Sequence, residues 1–141
     1  MTAHVNEYET IFVARPDLPE EEVIRIRTKL EGILAAGAAE VLEFDDWGRR
    51  KLAYIIEKHN HGHYHYLNYV SPAALPLELE RNLRNEDNLI RFLTVRLGED
   101  VDIEACRVAA TERIRLKALR AAEQASDDYA EDSDDEDSSE D

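Results

Sequence analysis

The sequence predicts an α+β domain in the order β-α-β-β-α-β, a four-stranded antiparallel sheet with two helices on one face. Three observations predict it. Four segments rich in β-branched and aromatic residues have apolar side chains at alternate positions. Two segments between them have apolar residues recurring at intervals of three and four, the period of a helix packed on one side. The chain has 141 residues, enough for one domain with a real core and too few for two domains plus a tail.

Tyr8 to Ala14 reads as the first strand and stops at the turn signal Arg15-Pro16-Asp17. Its Tyr8/Thr10/Phe12/Ala14 side carries the bulkier apolar set and is placed on the core, with Glu7/Glu9/Ile11/Val13 on the other side. A helix then opens at Pro19, with Asp17 as its cap and Glu20, Glu21 and Glu22 complementing the positive end of the helix dipole. Val23, Ile26, Leu30, Ile33 and Leu34 form its apolar stripe, and Gly37 ends it. Glu40 to Ile56 is a long extended segment interrupted near Asp46-Trp47-Gly48, where the glycine predicts a bulge or bend. His59-Asn60-His61-Gly62 reads as a hairpin turn of about four residues, and Tyr64 to Val70 as the returning strand, ended by Ser71-Pro72. A second helix spans about Ala74 to Arg84 with Leu75, Leu79 and Leu83 on one side. After the polar turn Asn85–Asn88, Leu89 to Leu97 is the fourth strand, with Ile90, Phe92, Thr94 and Arg96 on one side and Arg91, Leu93, Val95 and Leu97 on the other. This order is the split βαβ, or ferredoxin-like, arrangement, which leaves the second face of the sheet open. The fold hosts many unrelated functions, so the side chains must decide between them.

Residues 1–98 therefore form the domain. Residues 99–125 read as a helical extension with a loose apolar stripe and many arginines, a helix that could require a partner to form. Residues 126–141 read as a disordered acidic tail, too poor in apolar residues to order by burial. The formal charge of −15 comes from 17 Lys+Arg against 32 Asp+Glu, and ten of those acids lie in 126–141 with no base among them. The first 125 residues hold 22 acids and 17 bases, a net of −5. Taken whole, a chain this acidic argues against nucleic acid, whose binding rests on Lys and Arg displacing counterions. With the tail set apart, a local basic patch can act within a mildly acidic domain. The single cysteine, Cys106, excludes an intrachain disulfide and fits a reducing cytoplasm. The N-terminus lacks a signal-peptide pattern, and no apolar run is long enough for a membrane span, so no membrane is expected.

The densest chemical signal is Trp47-Gly-Arg-Arg-Lys-Leu-Ala-Tyr54, three consecutive cations inside a strand. Simple alternation places Leu52 and Tyr54 on the core side with the parity of Arg50, and Arg49, Lys51 and Ala53 on the open side. A phosphate-contacting strip and an edge strand defended by charge account equally well for such a run. Parity places Tyr69 in the core and Tyr64 and Tyr66 on the open face, where tyrosines beside cations can stack on unpaired bases or simply pack across strands. His59, His61, His63 and His65 alternate and share one side, a candidate zinc or copper set. No cysteine or carboxylate completes that set in the sequence, and solvated hairpin histidines are ordinary, so neither metal nor cofactor is expected. Asp45-Asp46 and Glu86-Asp87 are carboxylate pairs in turns, and the chain has no phosphate-cradling glycine loop, no placed nucleophile and no HExxH. No catalytic residue is assigned, and the chain is not expected to be an enzyme.

Several of these segments together carry a family resemblance. They are Tyr8-Glu9 with its strand to Pro16, Asp46-Trp-Gly-Arg-Arg-Lys-Leu-Ala-Tyr-Ile-Ile56, Gly62-His-Tyr64 with the strand-ending Pro72, and Asn85-Glu-Asp-Asn-Leu-Ile-Arg91. Over about residues 5–97 the chain resembles the bacterial small-subunit ribosomal protein six family, most specifically at Gly48 to Ile56. The resemblance implies a structural constituent of the small ribosomal subunit, located in the cytoplasm. It also implies binding to the central domain of the small-subunit (16S) rRNA together with small-subunit ribosomal protein eighteen. It carries rRNA or partner contact onto Arg49, Arg50, Lys51, Tyr54 and Arg91, to which the open-face reading adds Tyr64 and Tyr66.

Overall fold

The elements follow one another as β1 (Asn6–Ala14), α1 (Glu20–Ala36), β2 (Glu40–Ile56), β3 (His59–Ser71), α2 (Leu75–Arg84), β4 (Leu89–Gly98) and α3 (Ile103–Asp137). The structure, a computed structural model, describes residues 4–56 and 58–137, with side chains through residue 127. The four strands pair antiparallel in the spatial order β2-β3-β1-β4, the ferredoxin-like arrangement that the sequence predicts. Among the described residues no helix is long and apolar enough to cross a membrane.

Periodicity alone accounts for the core. Tyr8, Thr10, Phe12 and Ala14 are buried, as the alternation predicts. Tyr8 and Phe12 pack with Leu67 and Tyr69 of β3 against Ile26, Leu30 and Leu34 of α1 and Leu75, Leu79 and Leu83 of α2. Phe44 and Phe92 extend this layer at the two outer strands. The i, i+4 spacing of the leucines in α2 and of Ile26, Leu30 and Leu34 in α1 turns one stripe of each helix to the sheet.

Three local expectations are corrected. Asp17 does not cap α1. The N-cap is Pro19, in extended conformation and without a side-chain hydrogen bond, and its carbonyl accepts the N–H of Glu22 at 3.0 Å. Asp17 lies two residues before that cap, too far back to reach the orphan N–H groups of the first turn, and instead faces Arg15 at 3.5 Å. The hairpin turn is not His59–Gly62. Ile56 pairs with His59, Lys51 with His61 and Arg50 with Gly62, so the ladder continues through that segment and the chain reverses at Lys58, whose φ is 71°. Gly62 resembles a turn residue but serves close approach: a Cβ there would collide with Val13 Cγ1.

The third correction has the largest consequence. Asp46 pairs with His65 and Gly48 with Tyr64, so Trp47 is an extra residue in β2. Gly48 supports the bulge with φ of 79°, and its N–H donates to Asp46 Oδ1 at 2.7 Å. One inserted residue exchanges the two faces for the residues that follow, up to the next register shift beyond Lys51. Arg50, Leu52 and Tyr54 therefore lie on the face opposite the helices, and Arg49 and Lys51 lie on the helix side. Leu52 is buried there through contact near Gly62 and Val13 rather than in the main core.

The chain divides into two units, residues 1–106 and 107–141. The second unit is the remainder of α3, on which Val108, Ile114, Leu116 and Leu119 are exposed, the loose stripe seen in the sequence. The helix predicted within 99–125 runs on into the acidic block as far as Asp137. Residues 138–141 of that block lie outside the described residues.

Candidate nucleic-acid interface

The sheet face opposite α1 and α2 is polarised along β1. At one end Glu7 and Glu9 stand beside Asn68 and Tyr66 of β3, accepting hydrogen bonds from Asn68 Nδ2 at 3.0 Å and Tyr66 Oη at 2.8 Å. Glu43 of β2 pairs with Asn68 in the same register. At the other end Val13 pairs with Tyr64 on one side and Arg91 on the other. Arg91 donates to Tyr54 Oη at 2.9 Å, which ties β4 to the far end of β2 across this face.

Between these ends lies a stacked series. The Trp47 ring rests on the Tyr66 ring with centroids 4.9 Å apart and planes 8° from parallel. The Arg50 guanidinium carbon lies 5.1 Å from the Trp47 ring centroid, and Arg50 Nε donates to the Trp47 carbonyl at 3.3 Å. A cation held over an aromatic face keeps its outward N–H groups for another acceptor. The bulge residue is thus what connects the cation of β2 to the tyrosine of β3.

Of the seven residues assigned from the sequence, Arg50, Tyr54, Tyr64, Tyr66 and Arg91 come together on this face. Arg49 and Lys51 do not; they pair with His63 and His61 and point to the reverse side of the same hairpin. All three cations of the run are exposed. Sequence reasoning missed Trp47, for which the signal was its place before a bulge glycine. It also missed the apolar strip Leu93, Val95 and Leu97 of β4, exposed on this face beside Ile11 and Glu9.

Electrostatically the cations of the run differ from three arginines of the helices. Arg25 lies 3.0 Å from Glu22 and 2.8 Å from Glu86, Arg27 lies 3.1 Å from Glu31, and Arg81 lies 2.6 Å from Glu78. Among the described residues Arg49, Arg50 and Lys51 form no ion pair.

On the helix side of the hairpin, Asp46 is brought to the histidines. The expectation that no carboxylate completes the histidine set is therefore corrected: Asp46, His63 and His65 lie together, because Asp46 and His65 are register partners on neighbouring strands. His63 Nε2 donates to Asp46 Oδ1 at 2.6 Å. Burial raises the Asp46 carboxyl, but the bonds from His63 and the Gly48 N–H outweigh it and hold the group below the usual carboxylate range. His65 is buried, stacked on Phe12 at 4.8 Å, and its burial, with His63 beside it, pushes the imidazole down to about 4.

Known proteins resemble the chain over this whole domain. The family model described as Ribosomal protein S6 matches residues 7–96. The small ribosomal subunit protein bS6 of Geotalea daltonii is 45% identical over 98 residues, covering 70% of this chain and 77% of that one. The bS6 protein of Geobacter metallireducens is 37% identical over 119 residues, covering 84% of this chain and 99% of that one. The crystal structure of 30S ribosomal protein S6 from Thermotoga maritima superposes with a TM-score of 0.62 at 26% identity, covering 82% of this chain and 98% of that one. With the matched span reaching from β1 into β4 and including the Gly48 to Ile56 segment, the chain belongs to the ribosomal protein S6 family of the bacterial small subunit.

Proposed function

We propose that this chain acts without catalysis, as a structural component of the small ribosomal subunit that binds the central domain of 16S rRNA together with ribosomal protein eighteen. The observation that carries the RNA part is the contrast in charge pairing. Arg25, Arg27 and Arg81 of α1 and α2 spend their charge on neighbouring carboxylates, whereas Arg49, Arg50 and Lys51, three consecutive cations, form no ion pair among the described residues. Phosphate binding draws on such unneutralised cations, and forked guanidinium groups suit it.

The two sides of the hairpin divide the work in this reading. Arg49 and Lys51 meet backbone phosphate from one side. Arg50 and Arg91, with Tyr54, Tyr64 and Tyr66 around them, meet RNA from the other, with Trp47 as the platform under Arg50. The protein partner takes the apolar strip Leu93, Val95 and Leu97, where a polar RNA backbone would gain little. The acidic end at Glu7 and Glu9 repels phosphate and so limits RNA to the Arg50–Arg91 end.

The test is sedimentation of a cell lysate, followed by binding of the purified chain to a central-domain rRNA fragment with and without ribosomal protein eighteen. The expected result is migration with small subunits and tighter fragment binding when the partner protein is present. Endogenous protein found only in the ribosome-free fraction would overturn the proposal.

A further inference from the structure

The hairpin carries a second constellation that RNA binding does not use. Asp46, His63 and His65 each offer one ligand-type atom, and these atoms lie within 4.8 Å of one another. They border a cleft of about 380 Å³ that is also lined by Glu20, Val23 and Arg27. We propose that Asp46, His63 and His65 form a three-ligand site for a zinc-class divalent transition-metal ion, with its remaining coordination open to the cleft.

Donor chemistry selects the class of ion. Two imidazole nitrogens and one carboxylate oxygen suit zinc, cobalt or ferrous iron; magnesium and calcium take oxygen ligands instead. Three protein ligands also leave at least one position for water, which the cleft can supply.

The geometry is close to that required. Ligand atoms about 2.0–2.2 Å from zinc in a tetrahedron stand about 3.3–3.6 Å from one another. Asp46 and His63, now hydrogen-bonded at 2.6 Å, must part by less than an ångström, and the widest separation must close by somewhat more than one. The side chains that would move are the ones that can. Asp46 is exposed and His63 half-buried, whereas His65 is buried and stacked on Phe12 with planes 13° apart. The site would therefore have one fixed imidazole and two adjustable ligands.

Arg27 on the cleft wall opposes a cation. Its charge is already directed elsewhere, to Glu31 at 3.1 Å, the Phe44 carbonyl at 3.0 Å and the Phe44 ring at 4.1 Å. Glu20 supplies a second carboxylate to the same cleft. The register of β2 ahead of the Trp47 bulge places Asp46 opposite His65, and the bulge then turns Arg50 to the other face, away from the ligands.

The test uses the full chain. Cobalt(II) is titrated and followed by visible absorption, with zinc as competitor, and the histidine side-chain resonances are followed by heteronuclear NMR as zinc is added. The expected result is one cobalt per chain with the band intensity of nitrogen ligation, displaced by zinc and not by magnesium. The imidazoles of His63 and His65 should shift, while those of His59 and His4 stay in place. Asp46→Asn keeps an acceptor for the Gly48 N–H and should bind at least about tenfold more weakly. His61→Gln, on the same strand and outside the cluster, should bind as the unaltered chain does. Three results overturn the proposal: no nitrogen-ligated cobalt in the unaltered chain, a zinc response at His59 and His61 with His65 unmoved, or equal affinity in Asp46→Asn. The spectra of the unaltered chain decide the matter even where a variant fails to fold. Weak binding to the acidic C-terminal block is common to every variant and does not move the histidine signals.

Discussion

The two faces of the sheet are built from the same four strands, and each strand contributes alternate residues to both. On one face Phe12, Leu67 and Tyr69 meet Leu30 and Leu79 of the helices and are at most 2% exposed. On the other, Leu93, Val95 and Leu97 are 41–57% exposed, interspersed with Glu9, Tyr66, Arg50 and Arg91. The covered face is mainly apolar where the helices lie on it, because its task there is to leave water, and it becomes polar toward the hairpin, where Asp46, His63, Arg49 and Lys51 share its side. The bare face is mixed and polarised, with carboxylates at one end and guanidinium groups at the other, an arrangement that contributes little to folding and much to orienting a charged partner. The same four strands therefore serve stability on one side and, in the proposed function, recognition on the other.

The comparison is broken most forcefully by truncating one leucine on each face. Leu79→Ala, at a fully buried position, should cost about 2–5 kcal/mol of unfolding free energy in a urea titration. Leu93→Ala should stay within about 0.5 kcal/mol, as is usual for exposed positions. Equal losses at the two sites would mean that the second face is covered in the free protein. A smaller effect is expected at the bulge. Gly48→Ala places a side chain at φ of 79°, a conformation that costs an L-residue about 1–2 kcal/mol. If the bulge also sets the face that Arg50 occupies, this variant should lose rRNA affinity beyond its loss of stability.

How much of this was legible in the sequence follows from the range of the interactions. Strands and helices were readable because alternation and the three–four period are local, and Leu75, Leu79 and Leu83 announce their helix without help. The Trp47 bulge was half readable: Gly48 marked an irregularity, but whether a residue is inserted depends on which residue of β3 stands opposite. Parity carried through the bulge therefore put Leu52 and Tyr54 on the wrong face. Gly62 misled for a related reason, since its missing Cβ answers Val13 on a distant strand rather than a local turn. Asp46 and His63 are 17 positions apart and meet only through register, so no spacing rule could pair them.

A fourth variant tests the recognition side alone. Arg50→Ala removes an exposed cation stacked on Trp47 and should weaken binding to the rRNA fragment about tenfold at low salt. It should also reduce the slope of log affinity against log salt by about 0.9, the value of one phosphate contact on a duplex. Arg81→Ala, whose partner is Glu78, should leave both the affinity and the slope unchanged. A slope unaltered by Arg50→Ala would assign the residue to packing on Trp47 rather than to phosphate.

The smallest effect is expected from the acidic block, which sharpens the comparison from outside the sheet. Ten carboxylates within residues 126–141 compete with phosphate for whatever cations they can reach. Removing these residues should raise non-specific RNA affinity by less than about tenfold at low salt, and the gain should vanish near physiological ionic strength, where the Debye length falls to about 8 Å. If specific binding rests on Arg50 and Arg91 as proposed, it should change less than non-specific binding, so the ratio between the two falls on truncation. If the truncated chain binds random RNA no better at any salt, the acidic block acts on solubility alone, and selectivity rests on the polarity of the bare face itself.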